Sequence, residues 1–285
     1  MDYTAKDGAA TAARSPRALV FDSGVGGLSV LAEIRRLRPD VEIVYAADDA
    51  AFPYGGLSEA ALVARVETVM ARFIAQHAPD VVVIACSTAS TLALPPLRAA
   101  YPGLPFVGTV PAIKPAALAS RSGLISVLAT RGTIARDYTQ ALMRDHAANC
   151  EVTLVGSELL APIAEGAMRG KAIDGAVVAR EIAPCFVARD GRRTDHVVLA
   201  CTHFPLIVEM LERLAPWPVA FVDPAPAIAR RLDALLGAGR EGAAPRSEGA
   251  AIFTSGEASG PDLQKTLCRF ALRFTPSARI GSATA

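Results

Sequence analysis

The segment Asp80-Val-Val-Val-Ile-Ala-Cys86-Ser87-Thr88 aligns without gaps on Asp195-His-Val-Val-Leu-Ala-Cys201-Thr202-His203. In each, an apolar, β-branched run ends on a cysteine followed by small polar residues. This is the pattern of a buried strand delivering polar groups to the carboxyl edge of a parallel sheet, where α/β folds bind ligands. A lone cysteine closing such a strand reads as a small buried hydrophobe; two in matched contexts read as paired reagents. Inverting a carbon acid needs a base on one face of the carbon and a proton donor on the other, and two thiols can exchange those roles. A thiol with an ordinary pKa of about 8.5 needs a neighbour to adjust its protonation. His203, two residues past Cys201, is the imidazole available there; the alternative is a structural histidine bound to a backbone carbonyl.

A second candidate is the turn Phe21-Asp22-Ser23-Gly24-Val25-Gly26-Gly27-Leu28, between a strand and a helix. It lacks the full dinucleotide-loop spacing, and an acidic Asp22 would repel a pyrophosphate but could orient an ammonium group or tune a thiol. Its glycines would let the backbone approach a small zwitterion; the competing role for Asp22 is helix capping. Farther on, Asp48-Asp49-Ala-Ala-Phe-Pro53-Tyr54-Gly55-Gly56 reads as a polar loop rather than a Mg²⁺ site, since no third ligand accompanies the two carboxylates. Its Pro53-Tyr54-Gly55 offers a phenol and a free amide to a substrate carboxylate. The lysines, Lys6, Lys114, Lys171 and Lys265, lie in no loop resembling a pyridoxal-phosphate site. No cofactor and no metal are expected, and a cleft that closes would have to stabilise the carbanion.

The elements that must hold these groups alternate. Strands are expected over 18–21, 42–46, 81–85, 105–107, 124–128, 151–155, 196–200, 219–222 and 251–254, and helices over 28–37, 59–77, 134–147, 175–187 and 205–214, the pattern of βαβ units around parallel sheets. The repeated cysteine segment divides the chain into two related halves. A fainter echo pairs Leu19-Val-Phe-Asp22 with Val127-Leu-Ala129-Thr130, both strand ends running into small polar residues. Residues 237–249 read as a Gly-rich surface loop and residues 1–16 as a flexible arm.

Bulk properties fit an α/β protein of this size. The chain has 285 residues, 52% of them hydrophobic, and a formal net charge of +1, which makes no electrostatic case for nucleic acid or an anionic membrane. No signal-peptide core or long apolar span appears, so a cytoplasmic protein with a small-molecule partner is expected. Five widely spaced cysteines, with no C-x-x-C pair, predict reduced thiols.

FDSGVGG, AFPYG, IACSTAS and LACTHFPL, in this order and over residues 17–257, closely resemble the glutamate racemases of the aspartate/glutamate racemase superfamily. The resemblance implies two pseudo-symmetric parallel-sheet α/β domains with the active site in the cleft between them. The first would comprise residues 17–108 plus 222–285 and the second residues 109–221. It implies cofactor-independent conversion of L-glutamate to D-glutamate for peptidoglycan, and a homodimer. Cys86 and Cys201 would be the acid/base pair, assisted by Asp22 and His203, with substrate contacts from Asp22, Ser23, Tyr54, Gly55, Ser87, Thr88, Thr202 and His203. Glu165 falls where the family has an assisting glutamate; the alternative is a solvated helix carboxylate. The family's Cys-Asn-Thr is here Cys86-Ser87-Thr88, which removes an amide donor and shortens the reach. Other readings are a superfamily decarboxylase or isomerase of a small diacid, which would need only one of the cysteines, and a binding protein with a weakened site.

Overall fold

The computed structural model describes residues 14–237, 248–256, 260–276 and 279–280. Most of the predicted arm (1–13) and of the Gly-rich loop (238–247) lies outside them. In chain order the elements are β1 (Arg17–Asp22), α1 (Leu28–Leu37), β2 (Glu42–Ala47), α2 (Glu59–His77), β3 (Val81–Ile84), α3 (Ser87–Ala100), β4 (Phe106–Gly108), α4 (Ile113–Ala119), β5 (Leu124–Thr130), α5 (Arg131–Ile134), α6 (Asp137–His146), β6 (Glu151–Ser157), α7 (Leu160–Met168), α8 (Gly175–Ile182), the hairpin strands β7 (Ala188–Arg189) and β8 (Arg192–Arg193), β9 (His196–Leu199), α9 (Val208–Leu214), β10 (Ala220–Val222), α10 (Ala225–Leu236), β11 (Gly249–Phe253), α11 (Gly260–Arg269) and β12 (Leu272–Phe274).

Two parallel sheets result. The first has the order β12-β11-β2-β1-β3-β4, the second β10-β9-β5-β6. Within the first, β2-β1-β3-β4 matches β6-β5-β9-β10 strand for strand, so the two cysteine-bearing strands, β3 and β9, hold the same place in their sheets. β1 and β5 are equivalent strands, each paired with a cysteine strand, but the echo between residues 19–22 and 127–130 is one residue out of register: Phe21 matches Leu128, so Ser23 and not Asp22 corresponds to Thr130.

Alternation along the strands supplies both faces of the first sheet. Ala18, Val20, Val81 and Val83 pack with Leu28, Leu31, Ile34, Ile228 and Leu232 of α1 and α10. Leu19, Phe21, Val82 and Ile84 pack on the opposite side with Val66, Val69, Phe73 and Leu97 of α2 and α3. The second sheet is likewise covered by α7, α8 and α9 on one side and by α4 and α6 on the other. Helix α2 begins where Ser58 caps it by accepting from the Ala61 amide.

Several expected elements differ. The helix expected over 134–147 is two, because Arg136 adopts an extended conformation between α5 and α6. That expected over 175–187 leaves α-geometry at Ile182, where Pro184 enters a short 3₁₀ turn. The one expected from residue 205 starts as 3₁₀ and becomes α-helical at Val208. Helix α3 went unpredicted because Pro95 and Pro96 lie inside it. The three-residue β12 and the β7–β8 hairpin are too short to leave a periodic signal. Among the described residues no helix is long and apolar enough to cross a membrane.

Candidate active site

The carboxyl ends of both sheets converge on one narrow cavity. It is lined by Ser23, Tyr54, Gly55, Cys86, Ser87, Thr88, Thr130, Cys201, Thr202 and His203, with Phe52, Pro53 and Ala161. Each group is delivered by a strand end: Ser23 follows β1, Cys86 follows β3, Thr130 ends β5, and Cys201 lies just beyond β9. Cys86 and Cys201 are both buried and unpaired.

On the Cys201 side the imidazole of His203 spans two partners. Its Nδ1 lies 3.9 Å from Cys201 Sγ and its Nε2 3.0 Å from Glu165 Oε2. Glu165 is not a solvated helix carboxylate; it is 6% exposed, and its Oε2 also accepts the Val25 amide at 2.8 Å. Its other oxygen, Oε1, accepts from Arg169 at 2.8 Å. Burial disfavours the charge on His203, but its bonds to Cys201 and Glu165 outweigh that and raise its pKa to about 10. Burial likewise opposes the charge on Glu165, and is overcome by His203, Arg169 and the Val25 amide, which hold its pKa below the usual value. The two form a buried ion pair.

The Cys86 side is built differently. The Cys86 thiol donates to Ser23 Oγ at 3.6 Å, and its pKa is pushed up to about 12, first by burial and then by the charge of Asp22. Asp22 is fully buried; it accepts the Gly24 amide at 3.0 Å and the Thr202 hydroxyl at 3.0 Å. Burial raises its pKa to about 6. It does not cap α1, whose cap residue Gly27 makes no side-chain bond. Ser87 Oγ is buried with no hydrogen-bond partner among the described residues.

Three sequence expectations change. The Tyr54 phenol donates to Asp48 Oδ2 at 2.5 Å, so what it offers the cavity is ring and backbone. Asp48 is committed inward, paired with Arg65 and accepting from Thr254, while Asp49 accepts from Ser255; the Asp48-Asp49 loop is a structural brace for Tyr54. Finally, Gly24 and Gly26 face the other domain rather than a ligand. A Cβ on Gly24 would lie 2.6 Å from Glu165 Oε2, and one on Gly26 2.3 Å from His203 Nδ1.

Residues 28–232 match the model of the Asp/Glu/hydantoin racemase family. The chain belongs to this family. A curated glutamate racemase from Brucella canis is 53% identical over 256 residues, covering 90% of this chain and 92% of that protein, and one from Brucella anthropi is 58% identical over 218 residues, covering 76% and 78%. The crystal structure of Escherichia coli glutamate racemase with L-glutamate and the activator UDP-MurNAc-Ala superposes with a TM-score of 0.84 at 38% identity, covering 94% of this chain and 99% of that one. Isoform 1 of the Bacillus anthracis enzyme gives a TM-score of 0.75 at 26% identity, covering 93% and 98%.

Within this racemase-family site, sequence reasoning missed three groups. Thr130 was legible in the strand echo, where the sequence set it against Asp22 and the strand registers set it against Ser23, but no role was drawn from it. The Val25 amide and Arg169 had no signal, because a backbone donor and a helix arginine acquire meaning only when another segment packs on them.

Proposed function

We propose that this chain racemises glutamate without a cofactor, by 1,1-proton transfer between Cys86 and Cys201. The observation that carries this reading is that both thiols line one cavity from equivalent strand ends of two sheets, each backed by its own charged group. In the free protein Cys86 is held as a thiol, ready to donate, while the charged His203 sets its Nδ1 3.9 Å from the Cys201 sulfur that is to act as the base. Cys201 takes the α-proton as its C–H bond breaks, and Cys86 gives its S–H proton to the opposite face. The products are an inverted α-carbon, a Cys201 thiol and a Cys86 thiolate, the state required for the reverse direction. Asp22 neutralises the substrate ammonium, and the amides and hydroxyls of Ser23, Gly55, Ser87, Thr88 and Thr202 receive the carboxylates. Glu165 keeps the His203 proton on the imidazole. In D₂O, L-glutamate should lose optical rotation with one α-deuterium entering the product; unchanged rotation and no exchange would exclude this reading.

Residues 17–108 with 222–285 as one domain and 109–221 as the other, a cytoplasmic homodimer, and D-glutamate supply for peptidoglycan belong to the same proposal and rest on the family resemblance.

Two predictions follow from the buried polar groups. Ser87→Ala removes a hydroxyl whose unpaired burial costs about 1–3 kcal/mol, so the ligand-free protein should melt at a higher temperature. If the hydroxyl waits for a substrate carboxylate, KM should rise about tenfold in the same variant; an unchanged KM would remove Ser87 from the binding set. For Asp22, the folded pKa lies above the unfolded value of 3.8, so the folded state holds the proton more tightly. Stability is therefore lost as pH rises from about 4 to about 6, and above that ionised Asp22 costs on the order of 3 kcal/mol. Asp22→Asn should melt higher at pH 8 than the parent while losing turnover. In the parent, kcat/KM should fall below about pH 6 as Asp22 gains a proton and above about pH 10 as His203 loses one.

A further inference from the structure

Glu165 reaches His203 from α7, a helix that covers the second sheet and also meets α11 of the first domain. One turn on from it, Arg169 places Nε 2.8 Å and Nη2 2.8 Å from Glu165 Oε1, the oxygen that does not touch His203. The same guanidinium lies with its Cζ 5.9 Å from the centre of the Phe253 ring, on β11, and its Nη2 3.8 Å from Asp49 Oδ2, in the loop after β2. It is held from three sides, two of them in the opposite sheet domain. Meanwhile Glu165 Oε2 accepts both the imidazole and the Val25 amide, itself part of the first domain's glycine turn. With both oxygens occupied by fixed donors, the carboxylate can neither rotate away from the imidazole nor swap the oxygen it presents.

We infer that Arg169 is a positioning residue for proton transfer at Cys201: it clamps the outer oxygen of Glu165, so that the inner oxygen orients His203 towards the sulfur, and it ties that alignment to the docking of the two domains through Asp49 and Phe253. This inference rests on the two-thiol reading of the site and extends it by a third layer. The chain of contacts runs Asp49 and Phe253 to Arg169, to Glu165, to His203, to Cys201, whereas behind Cys86, among the described residues, Asp22 is held by the Gly24 amide and the Thr202 hydroxyl. The two proton transfers are therefore tuned by different devices. Among the described residues, the charged and titratable groups facing this chain include His203, Asp22, Cys201, Asp49 and Tyr45, whose phenol donates to Gly24 O beside Glu165. Arg169 also helps keep Glu165 ionised beside His203, which leaves the shared proton on the ring.

The test uses Arg169→Gln and Arg169→Lys in the full-length protein, with thermal unfolding as a control for folding. Because the two enantiomers of free glutamate have equal energy, a variant must lower kcat/KM equally in both directions, so direction is read from isotope effects. With Arg169→Gln, kcat/KM should fall about tenfold or more, the loss of a bidentate charge-assisted contact to a charged partner. The primary effect with α-deuterated substrate should rise in the direction where Cys201 removes the proton and shrink in the other. Arg169→Lys, which offers Oε1 a single ammonium in place of two guanidinium nitrogens, should recover part of both changes. Equal changes in the two directions, or none, would overturn the inference. A readout independent of turnover is histidine ¹⁵N resonance. In Arg169→Gln the inflection of the His203 signals that marks Glu165 gaining a proton should move to higher pH, and an unmoved inflection would also overturn it. If the parent protein does not racemise glutamate, the function reading fails, while this resonance still decides the role of Arg169.

Discussion

Replacing either cysteine by serine should abolish racemisation, with kcat falling about 10³-fold or more, because a hydroxyl is a far weaker base than a thiolate and a positioned proton-transfer group contributes about 10²–10⁴-fold. Volume is nearly conserved and both side chains are buried at strand ends, so the fold should survive, and circular dichroism checks that. The two variants should differ in a telling way. Cys201→Ser leaves Cys86 facing one side of the α-carbon, and Cys86→Ser leaves Cys201 facing the other. Each single-thiol protein should slowly exchange the α-hydrogen of one enantiomer with D₂O and return it to the same face, and the enantiomer should be opposite for the two variants. Proton resonance of D- and L-glutamate incubated separately would record this. If one variant keeps near-parent turnover, a single-cysteine chemistry of the decarboxylase type gains, and two-base racemisation is refuted.

Gly26→Ala should lower kcat by about 10²-fold, the effect of displacing a reacting group by about 1 Å, although Gly26 is not itself among the residues lining the cavity. The added methyl would come 2.3 Å from His203 Nδ1, 2.5 Å from Thr202 Oγ1 and 2.6 Å from His203 Cε1, closer than packed atoms approach. His203 has no room to yield, being held by Glu165 on one side and by the Phe52 ring, 5.3 Å away between centroids, on another. The domains must separate slightly or the imidazole must leave Cys201. Gly26 is absent from the positive-φ positions, so alanine suits its backbone, and at the start of α1 it adds no helical penalty. The loss should therefore appear in kcat, with a melting temperature lowered by only a few degrees. A fully active Gly26→Ala would mean that the glycine turn does not set the His203 geometry.

The strength of the second prediction comes from an asymmetry between the halves. The cysteine strands were legible from sequence because an apolar run with a cysteine at its end is a local pattern, and its repetition needs no knowledge of packing. The same holds for the nine strands of the regular βαβ order and for helices α1 and α2, whose apolar period is uninterrupted. Helix α3 was hidden by Pro95 and Pro96, whose local preference for ending a helix loses to the burial of Ala89, Ala93 and Leu97 against the sheet.

By themselves, the residues determined the chemistry on offer: two thiols, an imidazole and carboxylates at strand ends, repeated in a chain of alternating strands and helices. Tertiary structure decided which of them meet. Packing within each domain brings Glu165 to His203 and turns Asp48 inward to brace Tyr54, docking of the two sheets brings Glu165 to Val25 and spends the glycine turn on the opposite domain, and Ser87 Oγ is left buried without a partner among the described residues. The reason is physical. Strand ends follow from periodicity along the chain, whereas a buried charge or hydroxyl takes its protonation and its role from neighbours that are distant in sequence, and these exist only once the fold has closed around it.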